Sequence, residues 1–314
     1  MKVYVLDAFH PAGVDWLKKQ AGVEVIQWDD SRRPGWHEHA DAVMIRSNPL
    51  TAEDFAKAAK KLKVVSKQGV GVNTMDLAAA KKHGITICNT PGVNSEAVAE
   101  MALGMILDVG RRLTEMDRLI RAGKLTNRAD FLGTELWEKT VGIIGMGNIG
   151  TRVARKLHFA FNNRILAYDP YKPAQHWEDI PHERLQSLDE MWEQVDVLTV
   201  HVPLTDETRG MVGAKGLARM KSSATVVNVS RGGIVDEKAL YAALKEGRIF
   251  GAGLDVWDGV EPPATDDPLL SLPNVVATPH AAGGTRDTQV LSSMAVAKQL
   301  LHVMQGNEPF HRVV

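Results

Sequence analysis

Three polar side chains stand at or just beyond apolar, β-branched runs in the second half of the chain: Arg231 after TVVNVS, Glu261 after GLDVWDGV and His280 after VVATP. Their types fit chemistry at a carbonyl next to a carboxylate. A guanidinium forms a two-pronged, charge-assisted fork with a carboxylate and polarises a carbonyl. An imidazole that titrates near neutral pH gives a proton to a forming alkoxide or takes one from a hydroxyl. A carboxylate beside the ring orients it and favours its charged form. If all three residues follow strands of one open α/β sheet they face a common crevice, because ligands bind beyond the carboxyl ends of such strands.

A hydride carrier is expected from residues 140–169, TVGIIGMGNIGTRVARKLHFAFNNRILAYD. An apolar strand over residues 141–144 runs into Gly145, Gly147 and Gly150, a helix follows, and a second strand over 164–168 ends at Asp169. Gly145 permits the tight turn, Gly147 lets the backbone approach a pyrophosphate, and Gly150 lets the helix pack on the strand. The helix N-terminus offers free N–H groups to phosphates. Glycines at this spacing also arise in flexible loops; the strand before, the helix after and an acid 19 residues beyond Gly150 make the pattern specific. Asp169 accepts hydrogen bonds from ribose hydroxyls and repels a 2′-phosphate, and Pro170 and Tyr171 supply no arginine to offset that, so NAD is expected over NADP.

These residues need strands to position them, and the chain supplies two sets. Strands are expected at 2–6, 23–28, 42–45, 63–66 and 86–88, with helices at 52–60 and 76–82 between them. Ser95 is expected to cap one long helix over 96–122, with Val98, Met101, Leu103, Met105 and Ile106 on its apolar positions. Six further strands follow, at 141–144, 165–168, 197–200, 226–229, 251–255 and 275–277. A helical pattern over 290–304 is read as returning to the first domain. The expected architecture is therefore α/β with two doubly wound parallel-sheet domains. A Rossmann-type NAD-binding domain, residues 99–287, is inserted into a flavodoxin-like domain of residues 1–98 and 288–314.

Composition sets the outer bounds. At 314 residues the chain exceeds a single core, and 44% apolar with 24% charged residues is ordinary for a water-soluble protein. A net charge of −1 without a basic block argues against binding driven by nucleic-acid or membrane charge. The opening MKVYVLDAFH holds an apolar run too brief for a signal peptide or membrane span. Cys88 is the single cysteine, so no intrachain disulfide forms and the cytoplasm is the expected compartment. No CxxC or HExxH occurs, and His37 with His39 lacks a third ligand, so no metal site is expected.

Over nearly its full length the chain resembles the D-isomer-specific 2-hydroxyacid dehydrogenase family. The matching runs are VVSKQGVGVNTMD, NTPGVNSEAVAE, GIIGMGNIG, HVPLTDETRG, NVSRGGIVDEKAL, GAGLDVW, and EPP with TPHAAGGT. The resemblance implies that Arg231 holds a substrate carboxylate, His280 is the general acid/base and Glu261 is its partner. It implies Asn148 and Ile149 at the pyrophosphate, Val202, Pro203 and Thr208 along the adenosine, and Val229, Ser230 and Asp255 at the nicotinamide end. The substrate loop corresponds to residues 68–72, with Val70 and Gly71 as contacts and the glycine-containing turn as an anion nest. One departure matters: family members have five positions from the strand aspartate to the glutamate, and here Asp255 to Glu261 is six. Val260 takes the usual slot, leaving Glu261 as the reading and Asp258 as a substitute.

The implied activity is NAD-dependent interconversion of a small 2-ketoacid and a D-2-hydroxyacid by a homodimer. Glyoxylate or hydroxypyruvate reduction and D-3-phosphoglycerate oxidation are alternatives within the family; with the sequence running to Val314 no added regulatory domain is expected, which counts only against the long form of the phosphoglycerate enzymes. A phosphorylated substrate would want extra cations near the cleft, for which Arg46 and Lys67 are candidates; the bland reading of either is a solvated side chain or a cap on the sheet edge. A different class, an NAD-sensing corepressor that binds peptides, retains the same three residues. The bland readings are a surface or core role for His280, a helix-start role for Arg231, a strand-end cofactor-side role for His201 and core packing for Cys88. Trp257 is expected in the core or at the substrate mouth.

Overall fold

Side chains of a strand alternate between the two faces of its sheet. A strand apolar at every position is therefore one that is covered on both sides. That is the pattern of AVMI at 42–45; VLTV at 197–200 and TVVN at 225–228 depart from it only at Thr199, Thr225 and Asn228, and all three strands are buried throughout. The computed structural model describes residues 1–124 and 127–314, and these divide into two units, residues 1–94 with 284–314 and residues 95–283.

The first unit runs β1 (Lys2–Val5), α1 (Pro11–Lys18), β2 (Glu24–Ile26), α2 (Trp36–His39), β3 (Ala42–Ile45), α3 (Ala52–Ala58), β4 (Val64–Lys67), α4 (Leu77–Lys82) and β5 (Thr86–Cys88). Its five strands are all parallel, in the order β2-β1-β3-β4-β5, the flavodoxin-like arrangement expected.

The second unit runs α5 (Ser95–Arg111), α6 (Leu113–Arg121), β6 (Thr140–Ile144), α7 (Gly150–Phe161), β7 (Arg164–Tyr168), β8 (Glu183–Arg184), β9 (Val197–Val200), α8 (Ala214–Leu217), β10 (Thr225–Asn228), α9 (Glu237–Lys245), β11 (Gly251–Leu254) and β12 (Val275–Ala277). Its seven parallel strands are ordered β12-β11-β10-β9-β6-β7-β8, so the winding reverses between β6 and β9. One more helix, α10 (Arg286–Met304), belongs to the first unit.

Both sheets are packed on both faces. In the first unit, Tyr4, Val43, Ile45, Val65 and Ile87 pack with Phe55 on one side. Val3, Val5, Ala42, Met44 and Val64 pack on the other with Val296, Ala297 and Leu300 of α10. Cys88 lies in that second layer, fully buried, with its thiol pushed up to about 11 by desolvation. In the second unit, Ile143, Ile165, Val197 and Val227 meet α5 and α7, while Ile144, Leu198, Val226 and Leu254 meet α9.

Two expectations are corrected. The helix expected over 96–122 is two helices, α5 and α6, and Ser95 is the first helical residue instead of the cap. The break is at Arg112, in the left-handed region at φ 55°, where its guanidinium is held by Glu115 and by the Asp130 carbonyl. The second sheet also has a seventh strand, β8, two residues long and too short to leave an alternation in the sequence.

Candidate active site

The turn after β6 has a geometry that a phosphate would fit. Gly145 sits at φ 90°, a conformation side chains rarely adopt, and a Cβ there would meet the His201 carbonyl at 2.8 Å. At Gly150, the first residue of α7, a Cβ would lie 1.9 Å from the Gly145 oxygen, so only glycine lets the helix come this close. Gly147 is different in kind: a Cβ there would meet nothing within 4 Å. The space in front of it is open, as a backbone must be that is to touch a pyrophosphate. Asn148 is exposed and Ile149 caps the helix in this same turn.

Asp169 follows β7, its carboxylate accepting from the amides of Met146 and Tyr171 at 3.0 Å each. A cavity of about 370 Å³ opens between these strand ends, lined by Gly145, Gly147, Asp169, Val202, Pro203 and Thr208 among others. Thr208 is anchored by its hydroxyl to the Pro203 carbonyl at 2.7 Å. This set fits the adenosine half of a dinucleotide. A cavity of about 420 Å³ at the opposite edge of the sheet, beside Phe250 and Asn274, carries none of these groups.

Arg231, Glu261 and His280 follow β10, β11 and β12, three neighbouring strands, so their loops leave the same edge of the sheet side by side. Asn228 shapes the first loop, its side chain accepting from the Ser230 amide at 3.0 Å and donating to the Arg231 carbonyl at 2.9 Å. Ser230 is tied to the Val202 carbonyl, and Val229 is buried beneath. The Arg231 guanidinium is exposed, one nitrogen donating to the Ser230 carbonyl at 2.6 Å.

His280 and Glu261 are brought together: Nδ1 of the ring is hydrogen-bonded to Oε2 of the carboxylate. The other oxygen, Oε1, accepts from the Trp257 amide at 3.0 Å, which fixes the carboxylate from the far side. Within this loop Gly259 takes φ 97° and Val260 is 74% exposed. Asp258 faces elsewhere, with Arg209 at 3.4 Å.

His280 itself is at φ 57°, in a region costly for a residue with a side chain. What holds it there is Asp255, fully buried at the end of β11. The Asp255 carboxylate accepts from Ala281 N at 2.8 Å, Ala282 N at 2.9 Å and the Thr278 hydroxyl at 2.5 Å, and its backbone oxygen accepts from His280 N at 2.7 Å. Charge-assisted bonds of this number compensate a buried carboxylate. Trp257 is in the core at 3% exposure, its indole donating to the Thr278 carbonyl at 3.0 Å.

Residues 103–282 match the family model described as D-isomer specific 2-hydroxyacid dehydrogenase, NAD binding domain. The chain belongs to the D-isomer specific 2-hydroxyacid dehydrogenase family. NAD is the family's cofactor, in keeping with the glycine turn and Asp169. Among curated members it is similar to a glyoxylate reductase of Korarchaeum cryptofilum, 42% identical over 85% of this chain and 80% of that one. It is also similar to a D-3-phosphoglycerate dehydrogenase of Methanocaldococcus jannaschii, 38% identical over 98% of this chain, which spans only 58% of the relative's length. Among solved structures, the D-lactate dehydrogenase of Lactobacillus jensenii with NAD+ superposes over the whole of both chains with a TM-score of 0.84 and 27% identity.

Other residues weighed from the sequence find their places. His201 lines the adenosine-side cavity, its Nε2 near the Thr199 hydroxyl at 3.0 Å and its Nδ1 buried without a partner among the described residues. Desolvation pushes its pKa down to about 3, so it is neutral at working pH and is no proton donor. Lys67, at the end of β4 in the first unit, is buried, with its ammonium on the carbonyls of Arg46 at 2.5 Å and Gln68 at 3.4 Å. Burial holds its pKa below the usual lysine range. It braces two strand-end loops and is not a free cation, whereas Arg46 is exposed. In the loop that follows, Gly69 N donates to Thr90 at 2.9 Å and Asn89 to the Val70 carbonyl at 3.0 Å. Val70 and Gly71 are exposed, their amides without partners among the described residues.

Proposed function

We propose that the chain is an NAD-dependent oxidoreductase interconverting a 2-ketoacid and a D-2-hydroxyacid. In this reading residues 99–287 hold the cofactor and residues 1–98 with 288–314 form the substrate domain. The observation that carries it is the Glu261–His280 hydrogen bond at strand ends that adjoin the Arg231 loop. When bound, the nicotinamide supplies or takes up a hydride.

The residues do the rest. With Nδ1 committed to Glu261, Nε2 of His280 is the nitrogen that exchanges a proton. In reduction the doubly protonated ring delivers that proton to the carbonyl oxygen; in oxidation the neutral Nε2 takes it from the hydroxyl. Arg231 binds the substrate carboxylate and favours negative charge as it grows on the carbonyl oxygen. Val70 and Gly71 are proposed as substrate contacts through their free amides. Gly145, Gly147, Asn148, Ile149 and Gly150 take the pyrophosphate, and Asp169, Val202, Pro203 and Thr208 the adenosine. Val229, Ser230 and Asp255 take the nicotinamide end.

The substrate class proposed is a small unphosphorylated 2-ketoacid such as glyoxylate or hydroxypyruvate. With Lys67 spent on backbone carbonyls, Arg46 is the single cation left of the pair that a phosphate would recruit. The name of the M. jannaschii relative favours 3-phosphoglycerate as a second reading. NADH oxidation assayed with glyoxylate, hydroxypyruvate and pyruvate, and NAD reduction with 3-phosphoglycerate, separates them. Turnover of 3-phosphoglycerate at a higher kcat/KM than any of the three ketoacids would make the phosphorylated substrate the right one.

We further propose a homodimer. The stretch from α6 to β6 exposes Leu113, Ile120, Leu132 and Trp137, each more than half accessible, and α6 buries no residue at all. A cytoplasmic location is proposed from the lone buried cysteine. Among the described residues no helix is long and apolar enough to cross a membrane.

A further inference from the structure

The backbone at Trp257 and Asp258 is held at three points. The Trp257 amide, part of the preceding peptide, donates to Oε1 of Glu261 at 3.0 Å. The next amide, Asp258 N, donates to Oε1 of Glu237 at 2.7 Å. Gly232, next to Arg231, lies against the peptide between them, where a Cβ would come within 1.9 Å of the Trp257 carbonyl oxygen. The loop that orients the carboxylate beside His280 and the loop that carries Arg231 therefore meet at these two residues. The carboxylate that holds Asp258 N stands on α9, outside the set of residues assigned to the reaction.

Glu237 does not supply the cap of its own helix. Asp236 caps α9, accepting from the amides of Lys238 and Ala239 at 3.0 Å each. Glu237 is half-buried and reaches across to the loop instead. Among the described residues nothing comparable holds Asp258 otherwise, since its side chain meets Arg209 at 3.4 Å with both partners more than half exposed, and such pairs hold weakly.

We propose that Glu237 is a positioning residue, which acts through the Asp258 amide to anchor the loop from Trp257 to Glu261 and thereby the Glu261 carboxylate against His280. A carboxylate accepting from a backbone N–H makes one of the stronger hydrogen bonds available. Without it the Asp258 amide is left unpaired and the start of the loop that runs to Glu261 is held less firmly, which loosens the carboxylate against His280. The proposal rests on reading Glu261 and His280 as the proton-transfer pair.

The test is a set of variants assayed for kcat, KM and NADH affinity: Glu237→Ala and Glu237→Gln, the alanine change repeated in a Glu261→Ala background. Glu237→Ala should lower kcat by about tenfold or more while the Kd for NADH stays within about twofold. Glu237→Gln should recover to within about threefold of the parent, because its amide oxygen still accepts from Asp258. In the Glu261→Ala background the alanine change should cost less than about twofold, since two residues acting through one interaction do not add. Should the alanine variant fail to fold, Glu237→Asp, one methylene short of the amide, is expected to show the same loss of kcat. An unchanged kcat in these variants, an equal loss in both backgrounds, or a glutamine variant no better than alanine overturns the proposal. A Glu261→Ala variant with unchanged kcat would instead overturn the reading beneath it, and the proposal with it.

Discussion

At the scale of single residues, the site depends on which carboxylate faces His280. The loop carries one residue more than the family pattern, so spacing alone makes Asp258 and Glu261 rivals. The hydrogen bond to Nδ1 goes to Glu261, with Asp258 turned to Arg209. In reduction the histidine must carry its proton, and an adjacent anion favours that form. Glu261→Gln should therefore leave a working enzyme whose reduction rate falls at a lower pH than the parent's, and Asp258→Asn should leave the profile in place; the reverse assignment of shifts in kcat against pH would refute this. Asp169 should give a strong preference for NADH over NADPH, and Asp169→Ser with Pro170→Arg should move it toward NADPH, as read from kcat/KM with each cofactor. Asp169, Arg231 and His280 are legible in the sequence because each follows a recognisable strand. Asn228, Thr278 and the turn-building part of Asp255 are not, since a side chain that bonds to backbone a few residues away, or on the next strand, leaves no spacing to read. His201 adds a pH effect of its own. Its folded pKa of about 3 lies below the ordinary 6.5, so the unfolded chain takes a proton that the folded chain refuses. That penalty is absent above pH 6.5 and grows as pH falls toward 3. A His201→Gln variant should thus lose less melting temperature than the parent between neutral pH and pH 5, and an equal loss would count against the burial argument.

At the scale of elements, strands are legible where both faces are packed, because an unbroken apolar run of four or five residues between turn residues fits little besides a buried strand. Elements with different packing are harder to see. α1 presents Gly13, Val14 and Leu17 inward, and Gly13 lies so near the Ser293 carbonyl that a Cβ would come within 2.2 Å. A helix whose contact depends on glycine has little apolar periodicity to show. The break at Arg112 is hidden for a separate reason: α5 and α6 both carry helical patterns, and the Arg112 guanidinium at the turn between them is held by a local pair with Glu115 and by the Asp130 carbonyl, 18 residues on. The two cradle glycines give a paired prediction. Gly150→Ala places a Cβ 1.9 Å from a backbone oxygen and should lower the melting temperature and cofactor affinity together. Gly147→Ala meets nothing within 4 Å and should leave the cofactor-free melting temperature unchanged. It should still weaken NADH binding by about tenfold or more, the effect of roughly 1.4 kcal/mol lost at the pyrophosphate. Thermal melts and fluorescence titration of the two variants check this, and a Gly147→Ala enzyme with parental affinity would mean that the phosphates do not lie where the cradle is open.

At the scale of the whole molecule, the apolar side chains exposed between Leu113 and Trp137 predict a mass by light scattering of twice the 34.4 kDa chain at micromolar concentration. A Leu132→Arg change should weaken that assembly, and a monomeric parent would refute it. Saturating NADH should raise the melting temperature, because a ligand bound only to the folded state stabilises it by mass action. The parallel sheets, their winding and the strand-end edge at which the proposed site lies are legible because βαβ connections leave few alternatives. The substrate side chain is not, since pocket shape comes from residues distant in sequence. The central claim, proton transfer by His280 in an NADH-dependent reduction, is tested most directly by kcat and NADH affinity of His280→Ala on the best ketoacid. The expected result is a kcat lower by about 10²- to 10⁴-fold with NADH binding retained; a kcat within about threefold of the parent would contradict it.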